Sequence, residues 1–118
     1  HQSKFDIKGA MMPIVDFARI YALKNMVEAT NTLDRLYELQ LKGVLTTKEH
    51  EELNKAYSFL MQLRLARQIT AILDEGQTPD NYINPKKLTH IEQKMLKGIF
   101  KRIEDFQSQM DFDFIGAA

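Results

Sequence analysis

Apolar residues recur along most of the chain at steps of three and four, the spacing that keeps one face of a helix apolar. From about Met11 to Asn25, the residues Ile14, Phe17, Ala18 and Tyr21 hold such a face, with Val15, Ala22 and Leu23 beside them. This segment is apolar on most sides and predicts a buried helix, with Pro13 in its first turn, where a missing N–H costs nothing. Thr30-Asn31-Thr32 offers caps for a second helix, from about Thr32 to Lys42, with Asp34 near its positive end and Leu33, Leu36 and Tyr37 as its inner line. Gly43 suits the C-terminal cap. Thr46 and Glu49 form a capping box that opens a third helix, running to about Asp74 and stopped by Gly76.

Residues 76–88 hold two prolines and two asparagines and predict a loop. Thr89 with Glu92 is a second capping box, and it opens a fourth helix lined by Ile91, Met95, Ile99, Ile103, Phe106 and Met110. Gly98 in its middle suggests a close helix–helix approach. No strand-like alternation and no internal repeat is evident. The expected fold is all-α, an antiparallel four-helix-bundle-like domain over residues 11–110, with a lead-in at 1–10 and a frayed tail at 111–118.

Composition narrows the function classes. The 118 residues suit one domain, and 44% apolar with 27% charged residues is ordinary for a globular protein. Sixteen basic residues balance sixteen acidic ones. That balance argues against nucleic acid or an anionic membrane as the partner. With no cysteine, disulfides, thiolate zinc sites and cysteine nucleophiles are excluded together. No apolar run reaches the roughly 18 residues of a membrane span, and the start is not a signal peptide. A cytoplasmic protein is expected. The chain opens on His1 rather than Met, which reads as a piece of a longer protein.

Catalytic signatures are missing. There is no Gly-rich phosphate loop. His1, His50 and His90 are scattered, and the last two sit in first turns of helices, where solvent exposure is expected. Asp111-Phe112-Asp113 resembles a metal-binding Asp-x-Asp only superficially, lying in a tail rather than on a strand. The Arg-then-His spacing of helical HEPN-type nucleases is absent, because Gln68, Ile69 and Thr70 follow Arg64 where the His would stand. No cofactor and no metal is expected within these residues.

The positive signal is arginine placement. Leu53, Tyr57, Leu60, Arg64, Arg67 and Ala71 step by four and three along one face of the third helix. Two guanidiniums therefore share a stripe with core residues, and a guanidinium there needs an anion beside it. Asp16 and Arg19 interrupt the first helix, and Arg35 lies near the start of the second. In one reading Asp16 and other carboxylates pair these arginines inside the bundle, giving a purely structural module that docks or dimerises. In the other, Arg19, Arg35, Arg64 and Arg67 surround one polar cavity that accepts an anion such as phosphate, since the planar fork donates two hydrogen bonds to one oxyanion. Asp80 and Asn81 either close an Asx turn or orient arginines of the third helix.

Several stretches resemble a known helical family. They are Pro13-Ile14-Val15-Asp16-Phe17-Ala18-Arg19, Thr30-Asn31-Thr32-Leu33-Asp34-Arg35-Leu36, Ala56-Tyr57-Ser58-Phe59-Leu60 with Leu63-Arg64, and Pro79-Asp80-Asn81-Tyr82-Ile83. In this order, over about residues 8–107, they resemble the nucleotidyltransferase substrate-binding domain. Gln68 departs from that family's pattern, standing near a position that is basic or histidine there. The resemblance implies an accessory helical domain of bacterial signalling proteins. A cyclic-nucleotide-binding-like domain, often CBS repeats, and a nucleotidyltransferase domain precede it in the same chain. These proteins are relatives of the nitrogen-control uridylyltransferases. It further implies that a nucleoside triphosphate and Mg act in the catalytic domain and that a protein or a nucleotide is the substrate. Combined with the second reading of the arginines, this makes Arg19, Arg35, Arg64 and Arg67 the expected anion contacts, with Asp16, Asp80 and Asn81 orienting them. A homodimer is left open.

Overall fold

The computed structural model describes residues 4–74, 76 and 78–113. It is mostly all-α. The elements run β1 (Phe5–Asp6), α1 (Ile7–Lys24), α2 (Thr32–Leu41), α3 (Thr47–Leu73), β2 (Tyr82–Ile83), a 3-10 turn (Pro85–Lys87) and α4 (His90–Asp111).

Local chemistry explains most boundaries. Asn31 caps α2, its side chain accepting the Asp34 N–H at 2.9 Å. Both capping boxes form: Thr46 and Glu49 satisfy each other's backbone N–H groups at the start of α3, as Thr89 and Glu92 do for α4. Gly43, at φ +78°, closes α2 with Val44 N–H donating to the Leu39 carbonyl at 2.9 Å, a left-handed cap that a glycine adopts without strain. Met26, at φ +57°, takes the same conformation after α1, where its side chain is exposed.

The first helix differs from expectation. It begins at Ile7 rather than Met11, so Pro13 lies inside the helix and not in its first turn. Asp6 makes no side-chain cap. The start is set instead by tertiary pairing: Phe5 and Asp6 form an antiparallel ribbon with Ile83 and Tyr82, and Ile7 N–H donates to the Asn81 carbonyl at 2.7 Å. Two residues per strand are too few to leave an alternating pattern in sequence.

The core gathers Ile7, Met11, Ile14, Phe17, Ala18 and Tyr21 of α1 with Leu36 and Leu39 of α2, Leu45 of the loop after it, Leu53, Ala56, Leu60 and Leu63 of α3, and Leu96, Ile103 and Phe106 of α4. α1 is the hub, packing against α2, α3 and α4, whereas α4 meets α3 only thinly. Two inner lines are rotated from those expected. On α2 the line is Thr32, Leu36 and Leu39, while Leu33 and Tyr37 are exposed. On α4, Leu96 turns inward and Ile91 and Met95 face out. Nor does Gly98 mark a close approach, for a Cβ there would meet nothing within 4 Å.

At the C-terminal end, Asp111 closes α4, and Asp113 accepts a short hydrogen bond from the Tyr21 hydroxyl. Burial first, and then that carboxylate, pushes the Tyr21 phenol above its ordinary range. The rest of the tail expected to fray, residues 114–118, lies outside the described residues, as do 1–3 of the lead-in. No described helix is long and apolar enough to cross a membrane.

Candidate functional site

The arginine stripe of α3 faces inward as its spacing requires. Leu53, Leu60 and Ala71 are buried, and Tyr57, Arg64 and Arg67 are half-buried on the same line. The partners of the two arginines come from the segment that crosses over them. Arg64 Nε donates to Asn81 Oδ1 at 2.9 Å. Arg67 Nε donates to Asp80 Oδ1 at 3.2 Å, and its second amino group to Oδ2 at 3.4 Å. Asp80 Oδ1 also accepts the Tyr82 N–H at 3.1 Å, so the Asx turn and the orienting role are held by one carboxylate. The Arg67 hydrogen bond first, and the Tyr82 N–H second, keep the Asp80 carboxyl below the usual carboxylate range.

This segment is pinned on every side. The β1–β2 ribbon ties it to the start of α1. Asn84 caps the 3-10 turn by accepting the Lys86 N–H at 3.0 Å. Gln93 of α4 donates to the carbonyls of Pro85 at 2.8 Å and Leu88 at 3.3 Å. The expected loop at 76–88 is therefore a fitted strap over the C-terminal half of α3.

Between strap, α3 and α4 opens a groove of about 660 Å³. Leu63, Ala66 and Thr70 form its floor on α3, and Tyr82, Ile83, Asn84 and Leu88 its strap side. Three cations line it, Lys4, Arg67 and Lys87, against the single carboxylate of Glu92. That carboxylate is already engaged by the Thr89 N–H at 2.9 Å.

The other expected site residues are elsewhere. Of the four arginines, only Arg67 lines this groove, so they do not surround it together. Arg35 donates from Nε to the Ala29 carbonyl at 2.9 Å and braces the connection between α1 and α2. Arg19 is exposed on α1. Asp16 is half-buried and makes no salt bridge among the described residues, so it is not the internal partner of an arginine; Asp80 fills that role for Arg67. His90 is exposed, as expected, but His50 is half-buried, its ring edge-on to Tyr37 at 6.0 Å.

Sequence reasoning missed Lys4 and Lys87. The adjacent pair Lys86-Lys87 was the available signal. It also missed the bridge between α3 and α4, where Arg102 meets Glu52 at 2.7 Å while stacking on Phe106 at 4.9 Å. Glu52 chiefly raises the Arg102 pKa. Among the described residues, no three His, Asp or Glu side chains gather so as to hold a metal ion.

Comparison with curated proteins and with solved structures returns no match to this chain. A family model does match, over residues 1–114: the chain belongs to the family described as putative nucleotidyltransferase substrate binding domain.

Proposed function

We propose that this domain is the accessory module of a nucleotidyltransferase, and that its basic groove receives the anionic group of the nucleotide or of the acceptor. The observation that carries this reading is the groove lining itself: Lys4 and Lys87, beside an Arg67 already paired with Asp80, face the single engaged carboxylate of Glu92 in a protein whose overall charge is balanced. Asp80 orders the Arg67 guanidinium at the edge of the groove, so the side chain loses little freedom when an anion approaches. Lys4, just before β1, and Lys87, in the 3-10 turn, add point charges. Arg64 and Asn81 fix the strap that carries Lys87.

The nucleoside triphosphate and its Mg then meet at a catalytic domain in the same chain. This domain contributes by holding one reactant in place, which lowers the entropic part of the barrier. Membership of the family supports that division of labour. The signalling role, the bacterial source and the cytoplasmic setting belong to the same reading.

The test is a thermal-stability titration of the 118-residue chain with ATP, pyrophosphate and sulfate. A ligand of the folded state raises stability by RT ln(1 + [L]/Kd), about 2.7 kcal/mol at a hundredfold excess over Kd. ATP and pyrophosphate are expected to raise the melting temperature. Lys87→Ala, at an exposed position, is expected to weaken that rise at least tenfold in Kd while leaving the ligand-free melt unchanged. A flat response to all three anions overturns the reading.

A further inference from the structure

The groove is larger and more apolar than an anion needs. Its volume of about 660 Å³ falls within the range of about 300–1,000 Å³ in which sites enclose a whole small molecule. A bare phosphate would leave most of it to water. On the α3 side, Ala66 and Thr70 are one turn apart and small, which keeps the floor beside Leu63 low.

Tyr82 lines the same groove from the strap. Its backbone serves the ribbon: it pairs with Asp6, and its N–H donates to Asp80 Oδ1 at 3.1 Å. Its side chain has no such task. The residue is 51% exposed, and its ring packs on no other ring among the described residues. An aromatic face left in water beside cations is a platform on which a base stacks, because every base has a π-face.

The cations lie at a matching interval along the strap. Asn84 continues the extended backbone of β2 at φ −86° and ψ 112°, so it lies about 7 Å beyond Tyr82, two residues at about 3.3 Å each. The register that sets Phe5 against Ile83 brings Lys4 to the level of Asn84. Lys87 follows in the 3-10 turn. A ribose spans that interval. The Asn84 side chain accepts the Lys86 N–H at 3.0 Å, which leaves its amino group to donate into the groove it lines.

We infer that the groove takes a nucleoside triphosphate, with its base between the Tyr82 ring and the α3 floor and its phosphates at Lys4 and Lys87. Such a ligand joins a flat apolar part to a polyanion in one molecule, as the lining does in reverse. The inference rests on the reading of the groove as an anion site and goes beyond it, because it gives the groove to the nucleotide and not to a protein acceptor.

Calorimetric titration of the 118-residue chain with ATP and with inorganic tripolyphosphate tests it, since the second probe carries three phosphates and no nucleoside. ATP is expected to bind the wild type at least about tenfold more tightly. In Tyr82→Leu that margin is expected to vanish with tripolyphosphate binding unchanged. In Tyr82→Phe it is expected to remain, because the ring and not the hydroxyl stacks. The adenine ring protons of ATP are also expected to shift upfield in the NMR spectrum on adding wild-type protein, a ring-current effect that needs no variant. Equal affinities for the two probes, a margin that survives Tyr82→Leu, or unmoved adenine resonances overturn the inference and leave the anion reading standing. Binding of neither probe overturns both.

Discussion

Asp80 is the residue on which the strap depends. Its carboxylate is shared between the Arg67 guanidinium and the Tyr82 N–H, and both interactions favour the charged form. Its pKa is thus lower in the folded chain than in the unfolded one. A carboxyl with a depressed folded-state pKa adds stability above its unfolded value of about 3.9, and that stability is lost as the pH falls through the lower, folded value. Asp80→Asn keeps an oxygen to accept hydrogen bonds but removes the charge. The variant is expected to be less stable than the wild type from pH 7 down to about 4, with the gap closing below that. Urea unfolding at pH 7, 4 and 3 measures it, and a gap that persists at pH 3 would show that geometry rather than charge holds the pair.

Among the elements, helix identity was legible because its signals are local. Two capping boxes, an Asn cap and a glycine C-cap lie within four residues of the groups they satisfy, and all formed as read. What failed depends on distant residues. The start of α1 is set by a ribbon with residues more than 70 positions away, and no local pattern encodes that. The inner faces of α2 and α4 were misassigned because each helix carries more apolar residues than one face holds, and tertiary packing chooses among them. Gly98 was read as a contact point, yet it borders open space between α3 and α4. A mid-helix glycine with room for a methyl group costs about 1 kcal/mol relative to alanine. Gly98→Ala is therefore expected to stabilise the chain by about 0.5–1 kcal/mol, seen as a higher urea midpoint with an unchanged slope. A loss of stability would mean that α4 comes closer to a neighbour than the open groove implies.

At the scale of the whole molecule, the candidate site and the docking of α4 share a cause. The arginine stripe could be read because a single helix carries it, and Asp80 and Asn81 could be matched to it by chemistry. Lys4 and Lys87 could not, since only the ribbon and the 3-10 turn bring residues 83 positions apart to one groove. That arrangement holds only while α4 stays seated, for Gln93 anchors the strap. α4 meets the rest mainly through α1, and Phe106 is the centre of that contact, buried edge-on to Phe17 at 5.3 Å and covered by Arg102. Truncating a buried Phe removes its transfer energy and leaves a cavity, about 3–5 kcal/mol in total. A domain of this size has about 5–15 kcal/mol in all. Phe106→Ala is expected to lose that 3–5 kcal/mol in urea unfolding, while Ile91→Ala, at a position 73% exposed on the same helix, loses under about 0.5 kcal/mol. The contrast measures which face of α4 is seated, because the sequence pattern places both residues on one inner line. Equal losses would restore that line and turn α4 relative to the groove, moving Glu92 and Gln93 away from the strap they now hold.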